Sequence, residues 1–464
     1  MTYYLDPFGC VKNQVDAENM MAFLNRDGWA AAETAETADL IIVNSCGFIE
    51  SAKQESINAV LGWRKLYPGK KILLAGCLAQ RYSKELAGAL PEADGFFGVE
   101  DLSGIAEAAE RTLNITAAVE AGPGKTEAGN RPLLSLPGSA YVKISEGCNN
   151  RCSFCAIPLI RGGLASRSVG DLAKECKKLL DRGIKELCLI GQDTGAYGRD
   201  WTNTGAAIPP PAIITLLEAL TRVEGNFWIR LLYIHPDNFP LSILELIEKD
   251  KRILPYFDIP FQHGSGKILA AMNRKGNTAI YLDLIETIRQ RLPDAVIRST
   301  FMTGFPGETE KDFALLLDFQ KKARLDWLGC FAYSREEDTP SYSMKGRVPK
   351  KTAAQRKQML EQLQIPITEK QMDRFIGRTF DVLVEEKFAS PGETLSEETF
   401  QTEPDASAGN DDGEKTLYLG RLPCQAPEVD GAAVISSFRL LETGSIVRCR
   451  VFARAGFDLE VEPV

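Results

Sequence analysis

Three cysteines, Cys148, Cys152 and Cys155, crowd the segment "EGCNNRCSFC" with gaps of three and then two residues. A disulfide takes cysteines in pairs, and a tetrahedral zinc site takes four ligands. The chain has only two histidines, His235 and His263, and both lie far along the sequence from this triplet. A 4Fe–4S cube accepts one thiolate per iron, so three thiolates hold it and leave one iron open to a further ligand.

Three more cysteines, Cys10, Cys46 and Cys77, stand at the ends of three successive strand-like stretches, 36 and 31 residues apart. In an open α/β sheet, ligands sit beyond the carboxyl ends of the strands. The three thiols are therefore expected to converge on one sheet edge as a second three-thiolate cluster site. The other five, Cys176, Cys188, Cys330, Cys424 and Cys449, occur singly and read as small buried hydrophobes.

The elements that must position these groups fall into three segments. Residues 1–118 alternate strands such as "TYYLDPFG", "DLIIVNS" and "KKILLAG" with helices such as "ESAKQESINAVLGWRKL". That alternation predicts an open α/β sheet domain carrying the auxiliary thiols. A linker is expected at 119–137, where Gly, Pro and polar residues dominate. Residues 138–374 hold six strand candidates, "YVKISE", "ELCLIG", "FWIRLLYI", "PYFDIP", "VIRSTFMTG" and "LGCFAY", with helical stretches between them. Six units fall short of the eight that close a complete barrel, so a partial (βα)6 barrel is expected, its mouth at the strand C-termini. The triplet follows its first strand directly. Residues 375–464 read as a small antiparallel β-barrel with an acidic, apolar-poor insertion at 398–414, expected to be disordered.

At 464 residues, 44% hydrophobic and 25% charged, the chain has the composition of a multidomain soluble enzyme. Its start lacks a basic segment followed by an apolar one, and no apolar run reaches membrane-helix length. A cytoplasmic protein without a membrane is expected, and its reducing compartment argues against a disulfide framework. The net charge of −9 is confined to residues 376–464, with eight Lys or Arg against seventeen Asp or Glu. A negative tail, with Glu385, Glu386 and Asp430 among its carriers, is expected to repel RNA and attract a basic protein.

The C-x3-C-x2-C triplet with Phe154 before its last cysteine resembles the signature of radical S-adenosylmethionine enzymes. With the second triplet and the small barrel, the chain is similar to the methylthiotransferase family over nearly its whole length. "GCVKNQVDAE", "NSCGFIESAKQES", "IGQDTGAYG", "ILPYFDIPFQHGS" and "RSTFMTGFPGETEKDF" look like its RimO branch, and "APEVDGAAVI" is similar to the family's TRAM barrel. The resemblance implies two 4Fe–4S clusters, on Cys10, Cys46 and Cys77 and on Cys148, Cys152 and Cys155. It implies two S-adenosylmethionine per turnover, one to methylate a sulfur at the auxiliary site and one to generate the radical. The implied substrate is the β-carbon of an aspartate in small-subunit ribosomal protein twelve, served by a one-electron reductant and a sulfur donor.

Further candidates come from the strand ends. Phe154 could pack on the adenine or merely brace its loop. Gln192 and Asp193 could bind the methionine amine or simply make a turn. Arg230 and Gly304 are candidate cofactor contacts, the glycine because it permits close approach, though "GFPGE" could equally be only a turn. His235, Gln262 and His263 are candidate pocket residues, and either histidine could instead be a satisfied structural group. One rival reading keeps the chemistry and takes tRNA adenosine as substrate, as in the MiaB branch. A second is an iron–sulfur electron carrier or a zinc-dependent binding module.

Overall fold

The computed structural model describes residues 1–115, 129–204, 211–388 and 415–464. Part of the expected linker, 119–128, and all of the insertion 398–414 lie outside them.

The strand Leu40–Ser45 is buried at all six positions, as a strand covered by helices on both faces must be. It centres a five-stranded parallel sheet ordered Ala30–Ala31, Thr2–Pro7, Leu40–Ser45, Lys71–Gly76, Gly95–Phe97. The helices Val11–Arg26, Glu50–Leu66 and Cys77–Ala89 begin just past the carboxyl ends of three of these strands. Thus Cys10 is the N-cap of the first helix rather than the end of a strand, and Cys77 opens the third.

All six strands expected in the central segment form, and each pairs with its sequence neighbour in parallel. The first, Ser139–Lys143, and the last, Trp327–Ala332, lie at opposite edges, so the barrel is open. Alternate residues divide the work. Val142, Leu189, Ile229 and Phe257 pack with Leu172, Leu216 and Phe319 of the helices. Tyr141, Cys188, Trp228 and Tyr256 point the other way, into a core shared with Val382, Tyr418 and Val451 of the C-terminal segment. The helix Lys350–Asp373 covers the edge strand by burying one stripe, Ala353, Arg356, Leu360, Gln364, Thr368 and Met372. Gln364 and Thr368 donate to the carbonyls of Leu325 and Asp326.

The C-terminal segment is a closed five-stranded barrel ordered Thr379–Lys387, Thr416–Arg421, Ala433–Ser437, Asp458–Pro463, Ile446–Ala455. It is not wholly antiparallel, because Ala433–Ser437 and Asp458–Pro463 run parallel. Its junction with the central sheet is ionic and buried. Glu186 receives Arg230 at 2.7 Å and Arg421 at 2.5 Å, and Arg421 also reaches Glu385 at 2.7 Å.

These contacts change the expected charge map. Glu385 is buried against Arg421, and Asp430 is buried, accepting a hydrogen bond from the Tyr256 hydroxyl at 2.5 Å. Only Glu386 of the three is exposed. Eight of the seventeen acidic residues of the tail fall in 389–414, which holds no Lys or Arg, so the barrel itself is close to neutral.

Candidate functional site

The carboxyl edges of the two parallel sheets face each other, and the six cysteines Cys10, Cys46, Cys77, Cys148, Cys152 and Cys155 all line one cavity of about 300 Å³ between them. Local geometry explains how the auxiliary thiols converge. Gly76 takes φ +97°, and a Cβ there would stand 2.6 Å from the Ser45 carbonyl, so only glycine lets the Cys77 helix start tight against the neighbouring strand. A Cβ on Gly47 would lie 2.7 Å from the Cys77 carbonyl, so the Cys46 loop also depends on close backbone approach.

Burial raises the thiols of Cys46 and Cys148 and pushes those of Cys77 and Cys155 up to about 12. A buried thiol of that kind is inert until a metal displaces its proton. Among the described residues no three His, Cys, Asp or Glu side chains are grouped for a single metal ion. The thiols instead wall a cavity of about 300 Å³, room for a group bulkier than a single ion.

An ion network ties the two sheets together behind the auxiliary thiols. The buried Arg161 donates to Asp16 at 2.8 Å, to Glu146 at 3.0 Å, to Asn13 at 2.6 Å and to the Cys77 sulfur at 3.1 Å. Lys143 pairs with Asp16 and Glu146 as well. Burial alone would raise the Glu146 carboxyl, but Lys143 and Arg161 outweigh it and hold it down to about 2. Removing Arg161 would leave the buried Asp16 and the half-buried Glu146 under-compensated.

The other expected site residues divide. Phe154, Gln192, His235 and Gln262 line the cavity. His235 Nε2 is 3.8 Å from the Cys152 sulfur, and burial, with Arg274 and Arg199 nearby, pulls its imidazole down to about 3. Asp193 does not line the cavity. It is buried and accepts hydrogen bonds from Asn150 at 2.8 Å, from the His235 amide at 3.1 Å and from Asn238, a clamp that shapes the loops around the triplet. Arg230 is fully buried on the opposite side of the sheet with Glu186 and the Pro423 carbonyl, away from the cavity. Gly304 lines a separate cavity of about 660 Å³, and a Cβ there would stand 2.4 Å from Ala353 Cβ, so its role is packing of the helix Lys350–Asp373. His263 is buried, accepts from the Ser265 amide at 2.8 Å and does not line the cavity of the cysteines.

Residues absent from the sequence reading complete the walls: Lys12, Asn13, Arg151, Arg161, Tyr233 and Arg274. Three wall residues hold positive φ without being glycine, Arg151 at 53°, Tyr233 at 64° and Gln262 at 68°. Strain of this kind persists only where the surroundings enforce it, and it gathers at functional sites. Two buried polar atoms on the walls, Gln192 Oε1 and Arg274 Nε, have no hydrogen-bond partner among the described residues. Both suit a polar ligand beside Cys148, Cys152 and Cys155.

Comparison with known proteins agrees with this architecture. The chain matches the family described as "Uncharacterized protein family UPF0004" over residues 2–98, the radical SAM superfamily over 142–319 and the TRAM domain over 410–464. The ribosomal protein uS12 methylthiotransferase RimO of Treponema denticola is 46% identical, covering 99% of this chain and 100% of its own length. Its namesake from Aquifex aeolicus is 38% identical over 97% of this chain and 94% of its own. Among solved structures, the radical S-adenosylmethionine methyltransferase TsrM of Kitasatospora setae shares the fold, with a TM-score of 0.51 at 13% identity over 74% of this chain and 73% of that one. The chain belongs to the RimO family of radical S-adenosylmethionine methylthiotransferases, enzymes that transfer a methylthio group.

Proposed function

We propose that the chain methylthiolates the β-carbon of an aspartate in ribosomal protein uS12, holding one 4Fe–4S cluster on each cysteine triplet and using two S-adenosylmethionine per turnover. The observation that carries this reading is the single cavity lined by both triplets, because sulfur and radical must meet the same carbon. When bound, the two clusters and S-adenosylmethionine supply the sulfur, the methyl group and the radical that removes a hydrogen atom. A one-electron reductant and a sulfur donor complete the stoichiometry.

The chain's own residues bind, orient and exclude water. Cys148, Cys152 and Cys155 would hold the cluster that serves S-adenosylmethionine, while Cys10, Cys46 and Cys77 would hold the auxiliary one. Gln192 and Arg274 offer their unpartnered polar atoms to the ligand, and Phe154 offers a ring face. Phe48, Ile157, Pro158 and Ile160 make the wall apolar, which keeps water from reactive species. His235, held well below its ordinary value, serves as a neutral group.

Mass spectrometry of uS12 and of tRNA from cells with and without the gene tests the reading. The expected result is a methylthio group on one uS12 aspartate that vanishes with the gene, with tRNA unchanged. Methylthio loss confined to tRNA would overturn it.

A further inference from the structure

Four cationic side chains line the cavity of the cysteines: Lys12, Arg151, Arg161 and Arg274. Arg161 is committed to Asp16 and Glu146. Arg151 belongs to the radical triplet's own loop. Arg274 lies on the same side, where it donates to the Pro260 carbonyl at 2.6 Å and its neighbour Asn273 donates to the Arg151 carbonyl at 2.9 Å. Lys12 alone projects from the auxiliary side, two residues beyond Cys10.

Its surroundings are unusual for an ammonium. The acidic groups that act on it are the Cys10 thiol, two residues away, and two carboxylates engaged elsewhere, Asp258 with Arg298 at 3.3 Å and Glu146 with Arg161 at 3.0 Å. Among the described residues Lys12 has no carboxylate in ion-pairing reach; its ammonium rests 3.0 Å from the centre of the Tyr233 ring. A cation in a mostly apolar cavity is costly without a counter-charge. The ring recovers part of that cost by cation–π attraction. Tyr233 itself holds a φ of 64°, which a bulky residue adopts only when its surroundings force it, so the ring is placed under the ammonium at the expense of strain.

We propose that Lys12 is the specificity-determining residue of the acceptor site, its ammonium receiving the side-chain carboxylate of the residue being modified. An aspartate β-carbon is bonded directly to that carboxylate, so fixing the carboxylate fixes the C–H bond within the cavity. A neutral purine could accept only a hydrogen bond without opposite charge from the same cation, a weaker pairing than that with a carboxylate, so Lys12 favours a protein carboxylate over a tRNA base. The inference rests on the reading that an aspartate of uS12 is the acceptor.

The test measures affinity by anaerobic titration of reconstituted enzyme with uS12 and with uS12 carrying asparagine at the target position. Iron content and the cluster electron paramagnetic resonance signals are recorded alongside. The native enzyme is expected to prefer the aspartate form by roughly tenfold, the worth of one charge-assisted hydrogen bond. Lys12→Met is expected to bind both forms equally with its iron retained, and Lys12→Arg to keep the preference. A Lys12→Met enzyme that still prefers aspartate would overturn the proposal. So would loss of iron from Lys12→Met, because the ammonium would then be a counter-ion of the auxiliary cluster. A native enzyme that binds uS12 in neither form would instead sink the reading of the substrate.

Discussion

Replacing Cys152 by alanine is expected to reduce reductive cleavage of S-adenosylmethionine to background, whereas Cys46→Ala is expected to leave cleavage in place and stop sulfur transfer. The two cysteines line the same cavity but belong to different sheets, so each substitution removes a ligand from only one site. Among the described residues the cavity wall holds no seventh cysteine. His235 is the one histidine near Cys152, at 3.8 Å, and its Nδ1 already accepts the Asp237 amide at 3.2 Å. Around Cys46, besides Cys10 and Cys77, the walls offer Asn13 and Lys12 rather than a further thiol. Product analysis for 5′-deoxyadenosine and for the methylthiolated protein separates the two effects. Sulfur transfer by Cys46→Ala at the native rate would show that the auxiliary thiols do not hold the sulfur.

The second large effect is on stability. Glu186→Gln is expected to cost about 3–5 kcal/mol, because it leaves two buried arginines without their shared counter-charge. Arg230 and Arg421 are both buried and both contact that carboxylate. Burial alone would raise the Glu186 carboxyl, but Arg421 and Arg230 outweigh it and hold it down from 4.5 to about 2. A depressed carboxylate contributes stability that is fully present above its unfolded value and lost as pH falls through its folded value. The native protein should therefore lose this contribution between pH 4.5 and about 2, and the glutamine variant should show no such component. Denaturant unfolding at neutral and acid pH checks both statements. Equal stability of the two proteins at pH 7 would mean that the junction of sheet and barrel does not depend on this charge.

What was legible in the sequence follows from how local each signal is. The helix 50–66 and the six central strands declare themselves through periodicity and short apolar runs, and they form where expected. The short strands Ala30–Ala31 and Gly95–Phe97 carry no pattern of their own and exist only because the sheet edges pair with them. The cysteines were readable because thiolate spacing is itself chemistry, and strand ends predict where they gather.

Arg230 misled because position along a strand says nothing about which face a residue takes. Its alternation with Ile229 and Leu231, both packed on the helices, places it with Trp228 against the C-terminal barrel. Lys12 and Asn13 stood beside Cys10 in "GCVKN" but bore no signal until the fold turned them toward the second triplet. Arg161 was invisible for the same reason, since Asp16, its partner, lies 145 residues away. Composition places the negative charge in the tail but cannot say that the side chains of Glu385 and Asp430 are buried.

The central claim is that two three-thiolate sites face one cavity, each carrying a cluster. Iron and sulfide analysis of anaerobically reconstituted protein tests it most directly. About eight irons per chain are expected, with roughly half lost in Cys148→Ala and the other half in Cys46→Ala. A fully reconstituted protein that holds only about four irons, with Cys10, Cys46 and Cys77 open to alkylation, would contradict it.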